Sequence, residues 1–133
     1  MGETEIFVDN LPGFPENIRS GSNGTFWVGL ASVRHSDRFS LLDFLADKVR
    51  IRKCLLQVII PDRYWQWLVS KFVKKHALIL QLNEEGQIIA SAHDPTGQVI
   101  EAVSQVTETD EYLYLGYYRA PFIARLRKDL IVY

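Results

Sequence analysis

Seven short stretches rich in Val, Ile, Leu and aromatic residues, at 5–8, 25–30, 78–82, 87–90, 102–107, 112–117 and 122–126, alternate with turn-forming residues. No other feature constrains the fold as tightly. Runs of this length and composition read as β-strands. Between them stand Ser20-Gly21-Ser22-Asn23-Gly24, Asn83-Glu84-Glu85-Gly86, Asp94-Pro95-Thr96-Gly97 and the acidic segment 108–111. Gly supplies positive φ there, and Asn, Asp and Ser bond their own backbone, so successive strands are expected to pair as hairpins.

The motif Gly-Thr-Phe-Trp-Val-Gly at 24–29 returns as Glu-Tyr-Leu-Tyr-Leu-Gly at 111–116. With the helical-looking stretch 40–76 set aside, the spacing falls to about 50 residues, near the roughly 40 to 50 of a propeller blade. A sandwich of short strands carries similar punctuation without a repeat. Periodicity leaves both open.

The inserted stretch SLLDFLADKVRIRKCLLQVIIPDRYWQWLVSKFVKKH has a helical period. Ser40 is placed to cap a first helix with Asp43 at its third position, and Leu41, Leu42, Phe44, Leu45 and Val49 form its apolar face. Pro61-Asp62 restarts the pattern, with Trp65, Leu68, Val69, Phe72 and Val73 on one stripe. Two helices, or one kinked helix, are expected. From 34 to 76 there are ten Lys or Arg against four Asp or Glu, whereas the remainder carries five against twelve. An apolar stripe flanked by cations suits an anionic membrane surface. It equally suits a lid over an acidic cavity, or a helix pair packed on the sheet with a solvated basic face.

Over the whole chain of 133 residues the formal charge is -1, which argues against nucleic acid as the main partner. The single cysteine, Cys54, forms no internal disulfide and reads as a small buried thiol. No apolar run is long enough to span a bilayer. The opening MGETEIFVDN is acidic where a secretory leader would be basic, and it enters a strand pattern at once. The chain is therefore expected to be a segment whose partners lie upstream.

Several chemistries lack their signatures. There is no Gly-x-Ser-x-Gly elbow, and His35, His76 and His93 match no serine or cysteine nucleophile by a local pattern. Zinc spacings are absent too. Gly21-Ser22-Asn23-Gly24 opens a strand rather than a helix, so it is a turn and not a phosphate loop. Oxygen ligands remain. Glu16 and Asn17 sit side by side after Pro15, and a hard cation such as Ca2+ takes six to eight carboxylate and carbonyl oxygens. The same residues also read as a surface turn entering a strand. Asn23-Gly24-Thr25 is a glycosylation sequon, with Asn23 the acceptor in a chain that enters the secretory pathway.

PGFPENIR followed by GTFWVGL, then ALILQLNEEGQIIASAHDPTG, then SQVTETDEYLYLGYYRAPFIARL, resembles the C-terminal part of the adipocyte plasma membrane-associated protein family. This is a strictosidine synthase-like group of six-bladed β-propellers. The resemblance covers nearly the whole chain and includes the insertion. It implies an all-β fold in which residues 1–133 form about one and a half to two blades at the C-terminal end of the ring, with 40–76 a helical insertion. An outer strand of one blade would come first, then the penultimate blade, then most of the last.

Related calcium-dependent lactonases and arylesterases have a metal ligand at the position of Asn17, with Glu16 on a ligand-bearing acidic position. Most relatives have Asp there, and Glu reaches one methylene further. In the alkaloid-condensing synthases a catalytic glutamate matches Ser104 here, so the essential carboxylate is missing, and Glu101 would face the other side of the strand. The resemblance thus implies hydrolysis of a small-molecule aryl ester with Ca2+ as cofactor. His93, in the loop 91–95, would be the candidate base. The other ligands would come from the remaining blades, leaving the segment inactive alone, and the protein would be anchored in a membrane with its propeller in the secretory lumen or at the cell surface. The alternative is a non-catalytic, membrane-associated binding or scaffold propeller; segment 40–76 is expected as a lid or a membrane face in the enzyme reading.

Overall fold

The computed structural model of the chain describes residues 3–37, 39–57 and 74–131. It divides into two compact units, one formed by 1–33 with 75–133 and the other by 34–74.

Among the described residues the larger unit holds seven strands in two antiparallel sheets. The first contains β1 (Gly13–Ser20), β2 (Phe26–Val33), β3 (Ala77–Leu82) and β4 (Ile88–Asp94), in that spatial order. The second contains β5 (Gln105–Glu108), β6 (Tyr112–Gly116) and β7 (Ala124–Arg127), again in chain order. Each sheet is a meander, and the backbone of Asn17 on β1 bonds the residue just before β5, so the two first strands adjoin at one edge. That is how neighbouring propeller blades meet at an axis, whereas the Greek-key links of a sandwich would send strands from one sheet into the other. The expected partial propeller is the observed fold.

Burial follows from strand position. Every residue of β3 is buried and four consecutive residues of β2 are, because both faces of these central strands are covered. This is why ALILQL runs apolar without alternating. On one face, Trp27, Ala77, Ile79 and Ala90 pack with Val103, Val106, Leu113 and Leu115 to join the two sheets. On the other, Val28, Leu30, Leu78, Leu80 and Leu82 meet Val8, Leu11, Phe26 and Val33.

The N-terminal stretch 5–8 is therefore not the strand its composition suggests: Val8 packs as a side-chain plug and Phe7 lies edge-on to Phe26, with ring centroids 5.6 Å apart. The true first strand begins at Gly13. Its sequence hid it, because β1 lies at the sheet edge with mostly exposed residues, and its register shifts between Phe14 and Pro15 and again between Pro15 and Ile18. Proline has no N–H to give a ladder, so a bulge forms there. Glu16 and Asn17 thus lie within a bulged strand rather than in a turn. β4 likewise runs on to Asp94, which puts His93 in a strand and not in a loop.

In the smaller unit the helical pattern splits into α1 (Leu41–Ala46) and α2 (Val49–Gln57). Ser40 caps α1, its hydroxyl accepting from the Asp43 N–H at 3.2 Å. Asp43 also binds Arg34 through Nε and Nη2 at 3.0–3.2 Å. The break comes at Asp47 and Lys48, where the lysine ammonium donates to Phe44 O and to Asp47 Oδ1. The second predicted helix, with Trp65, Leu68, Val69, Phe72 and Val73, lies outside the described residues.

One carboxylate fastens the sheets. Glu108, at the end of β5, accepts from the Trp27 indole N–H at 2.7 Å, the Ser22 N–H at 3.0 Å and the Ser22 hydroxyl at 2.8 Å, and it pairs with the Lys128 ammonium. Burial alone would raise its pKa, but Lys128, Ser22 and Trp27 outweigh that and bring it down to about 2. A carboxylate depressed on folding stabilises the fold above its unfolded pKa and loses that contribution as pH falls toward the folded value. Wild-type stability should thus drop between about pH 5 and pH 2. Glu108→Gln should cost on the order of 1–3 kcal/mol at pH 7 in urea denaturation, and less as the pH approaches 2.

Candidate functional site

The β1 bulge turns Asn17 toward β5. Its backbone N–H and its side-chain Nδ2 both donate to the Ser104 carbonyl, at 3.2 and 3.0 Å. An amide held by its nitrogen has its oxygen direction fixed, and among the described residues nothing donates to Asn17 Oδ1. Ser104 is itself buried, with its N–H donating to Gly116 O at 2.8 Å and its hydroxyl accepting from the Tyr118 N–H at 3.5 Å. The carbonyl and N–H of one residue therefore serve one sheet each.

Glu16 is exposed beside Asn17, and both border a cavity of about 320 Å³ whose other walls include Phe7, Leu11, Val28 and Leu82. For a hard cation the donor chemistry suits: one neutral amide oxygen and one carboxylate on adjacent residues. Among the described residues no group of three or more His, Cys, Asp or Glu is close enough to hold a metal ion. A complete shell would need oxygens beyond these.

His93 is not brought to this place. It lies on β4, three strands from β1 in sheet order, or about 14 Å at ordinary strand spacing. Instead its Nδ1 is 3.3 Å from His76 Nε2, and its Nε2 is 3.2 Å from Ser91 Oγ. No sequence pattern marks this grouping, because His76 is distant from His93 along the chain and only the β3–β4 register unites them.

Asn23 is exposed in a 3-10 turn, Ser22–Gly24, where both it and Gly24 have positive φ. The sequon's Thr25 hydroxyl donates to Ser22 O at 2.7 Å and accepts from Gln81 Nε2 at 2.9 Å.

A second polar recess of about 230 Å³ has Glu101, Tyr117 and Arg119 in its walls. Burial pushes the Tyr117 phenol up; Arg119 opposes this, while Tyr118, Glu101 and Glu16 add to it. The Tyr117-Tyr118-Arg119 run after Gly116 is the sequence signal for this recess, and composition marks only Tyr117 as part of a strand.

Comparison with known proteins places these features in context. The chain is 43% identical over 126 residues to the bovine (Bos taurus) adipocyte plasma membrane-associated protein, covering 95% of the chain and 29% of that relative. Against the rat (Rattus norvegicus) protein of the same name it is 45% identical over 125 residues, or 94% of the chain and 32% of the relative. A strictosidine synthase-like protein of Arabidopsis thaliana is 35% identical over 123 residues, or 92% of the chain and 30% of the relative. The chain thus spans about a third or less of these relatives. No family model matches the chain. No solved structure matches it either.

If the Asn17 amide is the strap between β1 and Ser104, Asn17→Ala should lower stability by about 1 kcal/mol. Asn17→Asp should cost more, because a carboxylate oxygen would then face the Ser104 carbonyl. Urea denaturation with chelator present measures both without a contribution from bound metal.

Proposed function

The chain belongs to the adipocyte plasma membrane-associated protein family, and from that premise we propose that it is a C-terminal segment of a calcium-dependent arylesterase-like propeller. The observation that carries this reading is the Asn17 amide, whose nitrogen is held by Ser104 while its oxygen is left for a ligand. Asn17 would supply one oxygen to the ion, Glu16 a second where its longer side chain reaches, and the remaining blades the rest. When bound, Ca2+ polarises an ester carbonyl. The part of this chain is to fix one ligand by two hydrogen bonds to a buried carbonyl, so that little ordering is left for the moment of binding. Ser104, in place of a glutamate, supplies no carboxylate for the amine–aldehyde condensation of the alkaloid-forming synthases.

Membrane association fits the second unit. Phe39, Phe44, Val49 and Ile51 are exposed there, interspersed with Lys48, Arg50, Arg52 and Lys53. Among the described residues no helix is long and apolar enough to cross a membrane, so the contact we propose is superficial. Lumenal or cell-surface placement, with Asn23 glycosylated, belongs to the same reading.

The test is aryl acetate turnover by a full-length protein carrying this segment. Turnover should require Ca2+ and be abolished by chelation, and Asn17→Ala should reduce kcat/KM by about tenfold or more together with the calcium-induced rise in Tm. The 133-residue chain alone should turn over little. Turnover and Tm that ignore calcium would overturn the metal reading, and absence of turnover would leave a binding or scaffold propeller.

The membrane reading has its own check in vesicle cosedimentation of the 133-residue chain. Binding should need anionic lipid, weaken in high salt, and fall about a hundredfold when Arg50, Arg52 and Lys53 are replaced by Gln, at about 1 kcal/mol per cation. Equal binding to neutral vesicles would sink it.

A further inference from the structure

His76 stands one residue before β3 and His93 one residue before the end of β4. Because Leu78 pairs with His93 and Ala77 with Asp94, the two imidazoles are diagonal neighbours on one face of this hairpin. Their facing nitrogens, His76 Nε2 and His93 Nδ1, are 3.3 Å apart, with ring centroids 5.5 Å apart and planes tilted by 44°. His93 is exposed and His76 half-buried. The charged residues next to the pair in sequence are engaged: Lys75 pairs with Glu101, and the Asp94 carboxylate accepts from the backbone of Thr96, Gly97, Val99 and Ile100.

We propose that His76 and His93 form a two-imidazole site for a borderline divalent metal ion of the Zn2+ class. Two nitrogens each about 2.0–2.1 Å from a tetrahedral zinc stand about 3.3–3.4 Å from one another, which is the separation these rings already hold. In the metal-free pair one ring donates to the other. On metal binding the donor ring moves its proton to its other nitrogen and both rings turn until both facing lone pairs meet the ion.

His93 then has its Nε2–H directed at Ser91 Oγ, 3.2 Å away. An outer partner of this kind fixes the tautomer and orientation of a metal-bound imidazole. Water fills the other positions, so the site is exchangeable and open to a further ligand. Imidazole selects Zn2+, Ni2+ and Cu2+ over the oxygen-seeking Ca2+ and Mg2+. This site therefore stands or falls independently of the calcium reading at Asn17.

The probe is ZnCl2, titrated calorimetrically into the 133-residue chain carrying Cys54→Ser, because Cys54 is an exposed thiol that would bind zinc itself. Millimolar CaCl2 is present throughout. We expect one Zn2+ per chain, released by EDTA. His76→Gln and His93→Gln should each weaken uptake by about tenfold or more, and His35→Gln should leave it unchanged. Circular dichroism checks that the variants fold. Should one fail, histidine acylation mapped by mass spectrometry on the unaltered histidines decides instead: zinc should protect His76 and His93 together and spare His35 from any change. Undiminished uptake in folded His76→Gln or His93→Gln, displacement of zinc by calcium, or zinc that protects neither histidine would overturn the proposal.

Discussion

The pair of hydrogen bonds that Asn17 donates to the Ser104 carbonyl is the joint on which the larger unit depends. Ser104 is buried, so both of its backbone groups must find partners or the fold bears their desolvation. It gives its N–H to Gly116 in one sheet and its carbonyl to Asn17 in the other. The next residue toward the N-terminus packs against β2 from the same segment: Val103 N–H donates to Leu30 O, and a Cβ on Gly29 would meet Val103 O at 2.7 Å. Only glycine lets the two backbones come this close. The shared apolar core explains why the sheets adhere, while these polar contacts decide in which register.

The acidic balance outside the insertion has a structural use. Glu108 gathers donors from β2, from the 3-10 turn and from Lys128, while Asp94 does the same within the loop that follows β4. The Asp94 pKa follows the same rule: burial would raise it, but the N–H groups of Val99, Ile100 and Thr96 and the Thr96 hydroxyl outweigh this and hold it at about 2. Both carboxylates replace backbone partners that irregular segments cannot supply. Repulsion among the acidic residues is thereby reduced, since two of the charges are bound in place by N–H donors.

The sequence was most readable where composition and packing coincide. β2, β3 and β6 are central strands, and their apolar runs mark them directly. Ser40 as a cap was equally legible, because the cap is a local interaction. Edge strands were not. β1 mixes Pro15, Glu16, Asn17 and Arg19 because one side lacks a ladder partner within its own sheet, and no periodicity survives the bulge. Conversely, residues 5–8 carry strand composition because Phe7 and Val8 cover apolar surface, a need that a plug meets as well as a strand. At the candidate site, resemblance singled out Asn17, while the anchoring carbonyl of Ser104 was invisible: a backbone acceptor carries no residue identity. The His76–His93 pair was hidden for a related reason, since strand register has no signature in either residue alone.

Serine at position 104 follows from the same geometry. The fold uses this residue through its peptide groups, which any amino acid but proline supplies, so the joint leaves the side chain chemically unconstrained. A hydroxyl can stay in this buried place because it accepts from the Tyr118 N–H. A carboxylate would enter a neighbourhood where Glu16 and Glu101 already raise the Tyr117 phenol, and burial together with like charge would push such a group toward its neutral form. Condensation chemistry would exploit a carboxyl tuned in that way. Without it, the inner edge offers a fixed amide oxygen and an adjacent carboxylate, donors better suited to holding a hard cation than to moving a proton.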